Sequence, residues 1–236
     1  TAFYEALLDA KRNDIGLQSP TKLGDPFTTK DGRKIEAGAK EYSQLANEQY
    51  RRGAYKLSID SSTKALAIDP EYFDAYIIRG DSNYDLGNNK EAIDDYNKAI
   101  EIHPKDWMTY CHRGNARKNL NDYSGAISDY SKAIDMQPND HNLYKMRGTC
   151  KYHLEDYKEA VNDFKKVIEL NPEEDLIVYV TIGNLLDDLG SYEEAVSFYQ
   201  KAVELDSGFF TAYYHRGYAK SIHGDFEGAI LDFNKT

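Results

Sequence analysis

The sequence has 236 residues and a formal net charge of -11, from 40 acidic and 29 basic residues. This excess of acid argues against nucleic-acid backbones and anionic membrane surfaces as principal partners. No apolar run reaches about 18 residues, so the sequence predicts no membrane-spanning helix and no direct membrane insertion. Two cysteines, Cys111 and Cys150, are too few for a disulfide framework. We expect reduced, buried thiols; the sequence does not fix the compartment, and a cytoplasmic location is favoured.

Residues 1–38 do not follow the pattern of the rest of the chain. Phe3, Tyr4, Leu7 and Leu8 have helical spacing and predict a short amphipathic helix. Prolines and glycines then predict a loop. The segment either caps the first of the repeats that follow, which we favour, or lies along their surface as an internal ligand.

From residue 39 onward the sequence repeats itself with a period of 34 residues. The landmarks of the second repeat are Tyr76, Gly80, Ala92, Tyr96, Ala99 and Pro104. The predicted repeats are 39–72, 73–106, 107–140, 141–174, 175–209 and an incomplete 210–236. The first departs from several landmarks, and one residue is inserted in the turn before the fifth. A fixed period of this length predicts a stacked array of helical units.

Each repeat is predicted to form two helices. A capping residue precedes the second helix in five repeats, namely Asn88, Asp122, Asp156, Ser191 and Asp225. Small residues at the glycine and alanine landmarks allow the two helices to approach closely. The proline at the end of the repeat stops the second helix and begins the turn to the next unit.

These landmarks, at these offsets, resemble the tetratricopeptide repeat, over about five-sixths of the chain. The resemblance implies an all-α fold, a right-handed α-solenoid superhelix of six helical hairpins, here with an N-terminal cap segment. It also implies that the first helices line a concave groove that binds a peptide or a helix of a partner protein.

The resemblance places particular columns of the first helices in that groove. One column is rich in asparagine, whose amide can both donate to and accept from the backbone of an extended peptide. Tyrosines in other columns would add apolar contact area. The predicted peptide-binding residues are Asn47, Ile77, Asp81, Tyr84, Asn115, Lys145, Tyr152, Asn184, Tyr214 and Tyr218.

One subtype of the family holds the terminal carboxylate of chaperone tails with lysine, asparagine and arginine side chains on three successive first helices. The corresponding positions here are Ser43, Asn47, Ile78, Met108 and His112. Only Asn47 matches. The sequence therefore argues against chaperone C-terminal tails as partners.

A pair of columns is predicted to be structural. An arginine precedes the glycine landmark in four repeats, and an aspartate stands sixteen residues after each arginine. The four pairs are Arg79 with Asp95, Arg113 with Asp129, Arg147 with Asp163, and Arg216 with Asp232. The other two repeats lack both partners. We predict a salt bridge between the two helices of each such repeat and exclude these arginines from ligand binding.

No motif for catalysis, metal binding or cofactor binding is found. HExxH, CxxC, GxxxxGK[ST] and GxSxG are all missing from the sequence. The expectation is a protein that is not an enzyme and holds no cofactor or metal.

The predicted function is a non-catalytic scaffold that binds a protein or peptide partner in the groove. One alternative is the targeting or regulatory arm of a larger enzyme. Another is self-association, through residues 1–38 or through the C-terminal edge. The sequence does not name the partner or the pathway.

Overall fold

A computed structural model of the chain describes residues 37–172 and 176–236. The described residues form helices joined by short turns and contain no strand. The predicted N-terminal helix and loop, and the choice between a cap and an internal ligand, lie outside the described residues. So does most of the predicted insertion before the fifth repeat.

Twelve helices are found in the described part of the chain. They are α1 (Ala39–Arg51), α2 (Tyr55–Ile68), α3 (Phe73–Asp85), α4 (Asn89–Ile102), α5 (Trp107–Asn119), α6 (Tyr123–Met136), α7 (His141–His153), α8 (Tyr157–Leu170), α9 (Leu176–Asp188), α10 (Tyr192–Leu205), α11 (Phe210–Ile222) and α12 (Phe226–Phe233). The predicted all-α fold, with two helices in each repeat, is confirmed.

The chain divides into two compact units, Thr1–Leu86 and Gly87–Thr236. In the described part of the first unit, α1, α2 and α3 pack against one another around Ala65, Leu66 and Ala75. In the second unit, α5 packs on α6, α7 on α8, α9 on α10, and α11 on α12. Each of these hairpins also packs on the next, so the core of the second unit is a series of local interfaces.

Close approach of the two helices in a hairpin depends on the glycine landmark. A Cβ atom added at Gly114 would lie 2.8 Å from Cε1 of Tyr130, which is fully buried on the second helix. The first repeat has Ala46 at this position and Ser62 in place of the aromatic ring. A methyl group fits there because the facing side chain is small.

The turn between the two helices has one conformation throughout the described chain. Its second residue has a positive φ in all six repeats: Gly53, Gly87, Asn121, Glu155, Gly190 and Gly224. Glycine adopts this left-handed conformation without a steric penalty, and asparagine tolerates it. Glu155, at φ 60°, is the least suited of the six residue types to this turn.

The tyrosine landmark of the first helix fixes the turn between repeats. Its hydroxyl donates to the carbonyl oxygen of the proline that ends the preceding repeat. The four such hydrogen bonds are Tyr76 to Pro70 at 3.1 Å, Tyr110 to Pro104 at 3.3 Å, Tyr144 to Pro138 at 3.1 Å and Tyr179 to Pro172 at 3.0 Å. A tyrosine at this position therefore supplies both packing area and a polar contact.

Candidate functional site

The centre of the third repeat is a buried carboxylate held by two arginines. Arg113 donates from Nε to Oδ2 of Asp129 at 3.0 Å and from Nη2 to Oδ1 at 2.6 Å. Arg117, one turn further along α5, donates from Nη1 to Oδ2 at 2.8 Å. Asp129 is 1% exposed, so its charge is compensated almost entirely by these two cations.

The fourth and sixth repeats have the same arrangement. Asp163 accepts from Arg147, at 2.9 Å from Nε and 2.7 Å from Nη2, and lies 2.9 Å from Nζ of Lys151. Asp232 accepts from Arg216 Nε at 2.8 Å and lies 3.0 Å from Nζ of Lys220. The second cation was not predicted from the sequence.

The bridge predicted between Arg79 and Asp95 would join the two compact units and stays a prediction.

The arginines also contact the preceding repeat, which the sequence analysis missed. Nη1 of each donates to a polar side chain sixteen residues earlier. These contacts are Arg79 to Thr63 at 3.2 Å, Arg113 to Asn97 at 2.7 Å, Arg147 to Ser131 at 3.0 Å, and Arg216 to Gln200. One guanidinium thus joins its own hairpin to the one before it, and these contacts occupy the donors that a ligand would need.

A signal for these contacts was present in the sequence. The residue sixteen before each arginine can accept a hydrogen bond through a hydroxyl or an amide oxygen. The fifth repeat has Ile182 instead of arginine, and the residue of the same column in the repeat before it is Lys165, which has no acceptor. The inserted residue makes that interval seventeen instead of sixteen.

The predicted peptide-binding residues lie on successive first helices. In the first unit these are Asn47 on α1 and Ile77, Asp81 and Tyr84 on α3, all half-buried. In the second unit, Asn115 on α5 and Asn184 on α9 are half-buried. Lys145 and Tyr152 on α7 and Tyr214 and Tyr218 on α11 are exposed. The side chains are therefore spread along the first helices and do not converge on one point.

The asparagines of the second unit are held in place by tyrosines of the second helices. The hydroxyl of Tyr130 donates to Oδ1 of Asn115 at 2.8 Å, and that of Tyr199 donates to Oδ1 of Asn184 at 2.7 Å. The sequence-based expectation that these amides both donate to and accept from a ligand is therefore changed. Each amide oxygen is already bound, and the NH₂ group is the part left for a ligand.

The tyrosine hydroxyls remain donors over a wide pH range. Burial raises the pKa of Tyr199, and the nearby charges of Asp187 and Asp188 raise it further. Where the second helix has Phe164 instead, the matching first-helix residue is Thr149, whose hydroxyl donates to the carbonyl oxygen of Lys145 at 2.8 Å. This co-occurrence of asparagine with tyrosine was visible in the sequence, at an offset of fifteen residues.

Comparison with family models identifies the repeats. A model described as "TPR repeat" matches residues 80–121 and 183–221, and one described as "Tetratricopeptide repeat" matches residues 107–140 and 141–174. Together they cover more than half of the chain. This chain belongs to the tetratricopeptide repeat family. The two ranges of the second model have the same bounds as the predicted third and fourth repeats.

Solved tetratricopeptide repeat structures share this fold. MamA from Desulfovibrio magneticus RS-1 is 18% identical with a TM-score of 0.65, and the match covers 72% of this chain and 96% of that one. PilF of Pseudomonas aeruginosa is 19% identical with a TM-score of 0.61, over 82% and 88% of the two chains. YrrB, described as "a TPR protein with an unusual peptide-binding site", is 26% identical with a TM-score of 0.63, over 74% and 89%. No curated protein sequence matches the chain.

The two thiols of this tetratricopeptide repeat array are buried and free, as expected. Burial raises the pKa of the Cys111 thiol to about 11 and that of Cys150 to about 11. Both are therefore protonated at neutral pH and poorly suited to nucleophilic chemistry. Cys111 instead contacts Met146, with the two sulfur atoms 3.7 Å apart.

Two further kinds of site were sought in the described residues. No group of three or more histidine, cysteine, aspartate or glutamate side chains there is arranged to hold a metal ion. None of the helices described here combines the length and the apolar character needed to cross a membrane.

Proposed function

We propose that this chain is a non-catalytic protein-interaction scaffold that binds a peptide or a helix of a partner protein along the exposed face of its first helices. The observation that carries the proposal is the pair of fixed amides, Asn115 and Asn184. A side chain whose oxygen is already bound loses little rotamer freedom when its NH₂ group meets a ligand. Such donors suit the carbonyl groups of a partner's backbone.

The comparisons support the same function in general terms. YrrB, which is 26% identical over 74% of this chain, has a peptide-binding site according to its description. We propose a peptide as the ligand class for this chain also, with Tyr84, Tyr152, Tyr214 and Tyr218 as contact area. Nucleic acids, membrane insertion, cofactors and chaperone C-terminal tails lie outside the proposal.

Affinity capture with purified chain tests this function. Wild type and the double variant Asn115→Ala with Asn184→Ala are compared as baits. A second variant, Asn115→Asp with Asn184→Asp, keeps the oxygens that Tyr130 and Tyr199 bind and removes only the outward NH₂ groups. We expect both variants to lose partners that the wild type captures.

The matched control replaces exposed residues of second helices, Lys132→Ala with Glu169→Ala, and is expected to retain every partner. If both asparagine variants keep every partner of the wild type, the groove assignment is wrong. Loss of partners by the alanine variant alone would mean that the asparagines matter for local structure and do not bind the ligand.

A second candidate function, self-association, is favoured by the apolar surface of α12. Phe226, Ile230 and Leu231 are 66%, 60% and 69% exposed. Val161, which occupies the position of Ile230 two repeats earlier, is only 4% exposed. Light scattering of the full chain over a range of concentrations tests this candidate, together with a variant Ile230→Glu and a chain lacking residues 1–38. A wild type that stays monomeric at every concentration would exclude it.

A further inference from the structure

Two neighbouring first helices contain no carboxylate. The chain has 40 acidic residues, yet neither α5 nor α7 includes an aspartate or a glutamate. The same two helices carry six cations, namely Arg113, Arg117, Lys118, Lys145, Arg147 and Lys151. Their local charge is therefore opposite to that of the protein as a whole.

Four of these six cations are committed to structure. Arg113 and Arg117 hold Asp129, and Arg147 and Lys151 hold Asp163. Lys118 and Lys145 take no part in either cluster. The carboxylates next to the two helices, Asp106 and Asp140, cap the N termini of α5 and α7 by accepting from backbone N–H groups.

Lys118 lies near both helices. Its charge acts on the thiols of Cys111 on α5 and Cys150 on α7, where it partly opposes the larger effect of burial on their pKa values. Lys118 is half-buried, and Lys145 on α7 is exposed. Two ammonium groups on adjacent helices form a small positive surface, which we call the α5–α7 surface.

The neutral polar groups on the α5–α7 surface are mostly donors too. The oxygen of Asn115 is occupied by Tyr130, which leaves the NH₂ group. Thr149 directs its proton to the backbone of its own helix. On the next first helix, α9, Asp187 is 3.2 Å from Nε2 of His223, so that carboxylate already has a donor. A ligand on this surface meets donors and must itself supply acceptors.

We propose that the α5–α7 surface binds an acidic segment of a partner protein. Carboxylates of that segment accept from Lys118 and Lys145, and a backbone carbonyl accepts from the amide of Asn115. This inference rests on the proposed function and specifies its ligand. A protein segment fits better than a nucleic acid, because the positive surface is narrow and α9 beside it carries Asp187 and Asp188.

Fluorescence anisotropy with the full chain and three labelled synthetic peptides tests the proposal. The peptides are acetylated and amidated, so that no free terminus contributes, and share one sequence of glycine, serine and leucine with glutamate, glutamine or lysine at alternate positions. We expect the glutamate peptide to bind at least about tenfold more tightly than the glutamine peptide. Its affinity should fall several-fold as NaCl rises from about 50 to about 200 mM.

Charge reversal at the surface supplies the decisive comparison. Lys118→Glu and Lys145→Glu should each weaken the glutamate peptide by about tenfold and strengthen the lysine peptide. Lys132→Glu makes the same change at an exposed site on α6 and should leave both affinities near those of the wild type. Circular dichroism verifies that each variant keeps its helical content.

The outcomes separate the inference from the proposed function. Equal affinity for the three peptides, no binding of any of them, unaltered binding by both Lys118→Glu and Lys145→Glu, or tighter binding of a single-stranded RNA than of the glutamate peptide would overturn the inference. The proposed function would survive those results if the asparagine variants still lost partners in affinity capture. If that capture is unaffected by the asparagine variants, the proposed function fails whichever peptide binds.

Discussion

The fourth and fifth repeats close the same hairpin with opposite chemistry. In the fourth repeat, Arg147, Lys151 and Asp163 form a buried ionic cluster. In the fifth, the same three positions hold Ile182, Leu186 and Phe198, all buried. The helices are 13 and 14 residues long in both repeats. The hairpin geometry therefore does not depend on the ions.

What the ionic version adds is a requirement for completeness. Apolar side chains of similar volume can replace a buried ion cluster with little loss of stability, whereas removal of one ion leaves its partner charged and desolvated. The apolar repeat tolerates its neighbours through area alone. The ionic repeat needs each partner, including the acceptor that the preceding repeat supplies.

The largest expected effect comes from removing the shared acceptor. Asp129→Ala leaves Arg113 and Arg117 without their carboxylate, and we expect the free energy of unfolding to fall by about 3–5 kcal/mol. Urea denaturation followed by circular dichroism measures this. Asp135→Ala, at an exposed aspartate of the same helix, should change the value by less than about 0.5 kcal/mol. Similar losses for the two variants would show that the cluster is not a special source of stability.

The fourth repeat can be converted into the fifth. Arg147→Ile alone should lower the free energy of unfolding by about 3 kcal/mol, because Asp163 then keeps only Lys151. Adding Lys151→Leu and Asp163→Phe copies the apolar centre and should bring stability back to within about 1–2 kcal/mol of the wild type. A triple variant as unstable as the single one would contradict the equivalence of the two centres.

A smaller effect is expected at the fixed amide. Tyr130→Phe removes the hydrogen bond to Asn115 and should cost about 1 kcal/mol. The fourth repeat already has the matching pair without this bond, Phe164 with Thr149. Combining Tyr130→Phe with Asn115→Thr should therefore cost less than the sum of the two single changes, as measured by a double-mutant cycle. Additive losses would show that the two side chains are not coupled.

The smallest effect is a change in pH dependence. Burial opposes ionisation of Asp232, but its bonds with Arg216 and Lys220 outweigh burial and lower its pKa. A lowered pKa in the folded state means that this carboxylate stabilises the fold above its unfolded pKa, near 3.8, and that the contribution is lost as pH falls further.

Thermal unfolding of the wild type and Asp232→Asn over this acid range checks the prediction. The two melting temperatures should differ at neutral pH and converge in acid. A difference that stays constant with pH would mean that the ionisation of Asp232 contributes nothing. The fifth repeat has Phe198 at the matching position and so contributes no titration of this kind.

Most of the fold follows from the sequence because each repeat restates the same constraints. The period, the two helices and the turn between them are readable from landmarks such as Gly114 and Tyr130. The association of Arg113 with Asp129 was also visible, since the two residues occur together or not at all. Repeated structure turns one sequence into several independent observations of one site.

The details that were missed depend on the direction in which a side chain points. Comparing columns did not show that Nη1 of Arg147 reaches the preceding repeat or that Lys151 joins the cluster. The asparagine column was likewise judged alone, without the tyrosine fifteen residues later that fixes Oδ1 of Asn115. A search for co-occurrence at every offset would have found these partners, but only the structure orients them.

The arginine contact between repeats restricts how such an array can grow. An internal duplication that places the third repeat after another copy of itself would set a new Arg113 against Ser131, which can accept its proton. A copy of the fourth repeat placed after itself would set Arg147 against Lys165, and two cations would meet. Neighbouring repeats therefore carry matching identities, and the order of the modules is written into side chains that never meet a ligand.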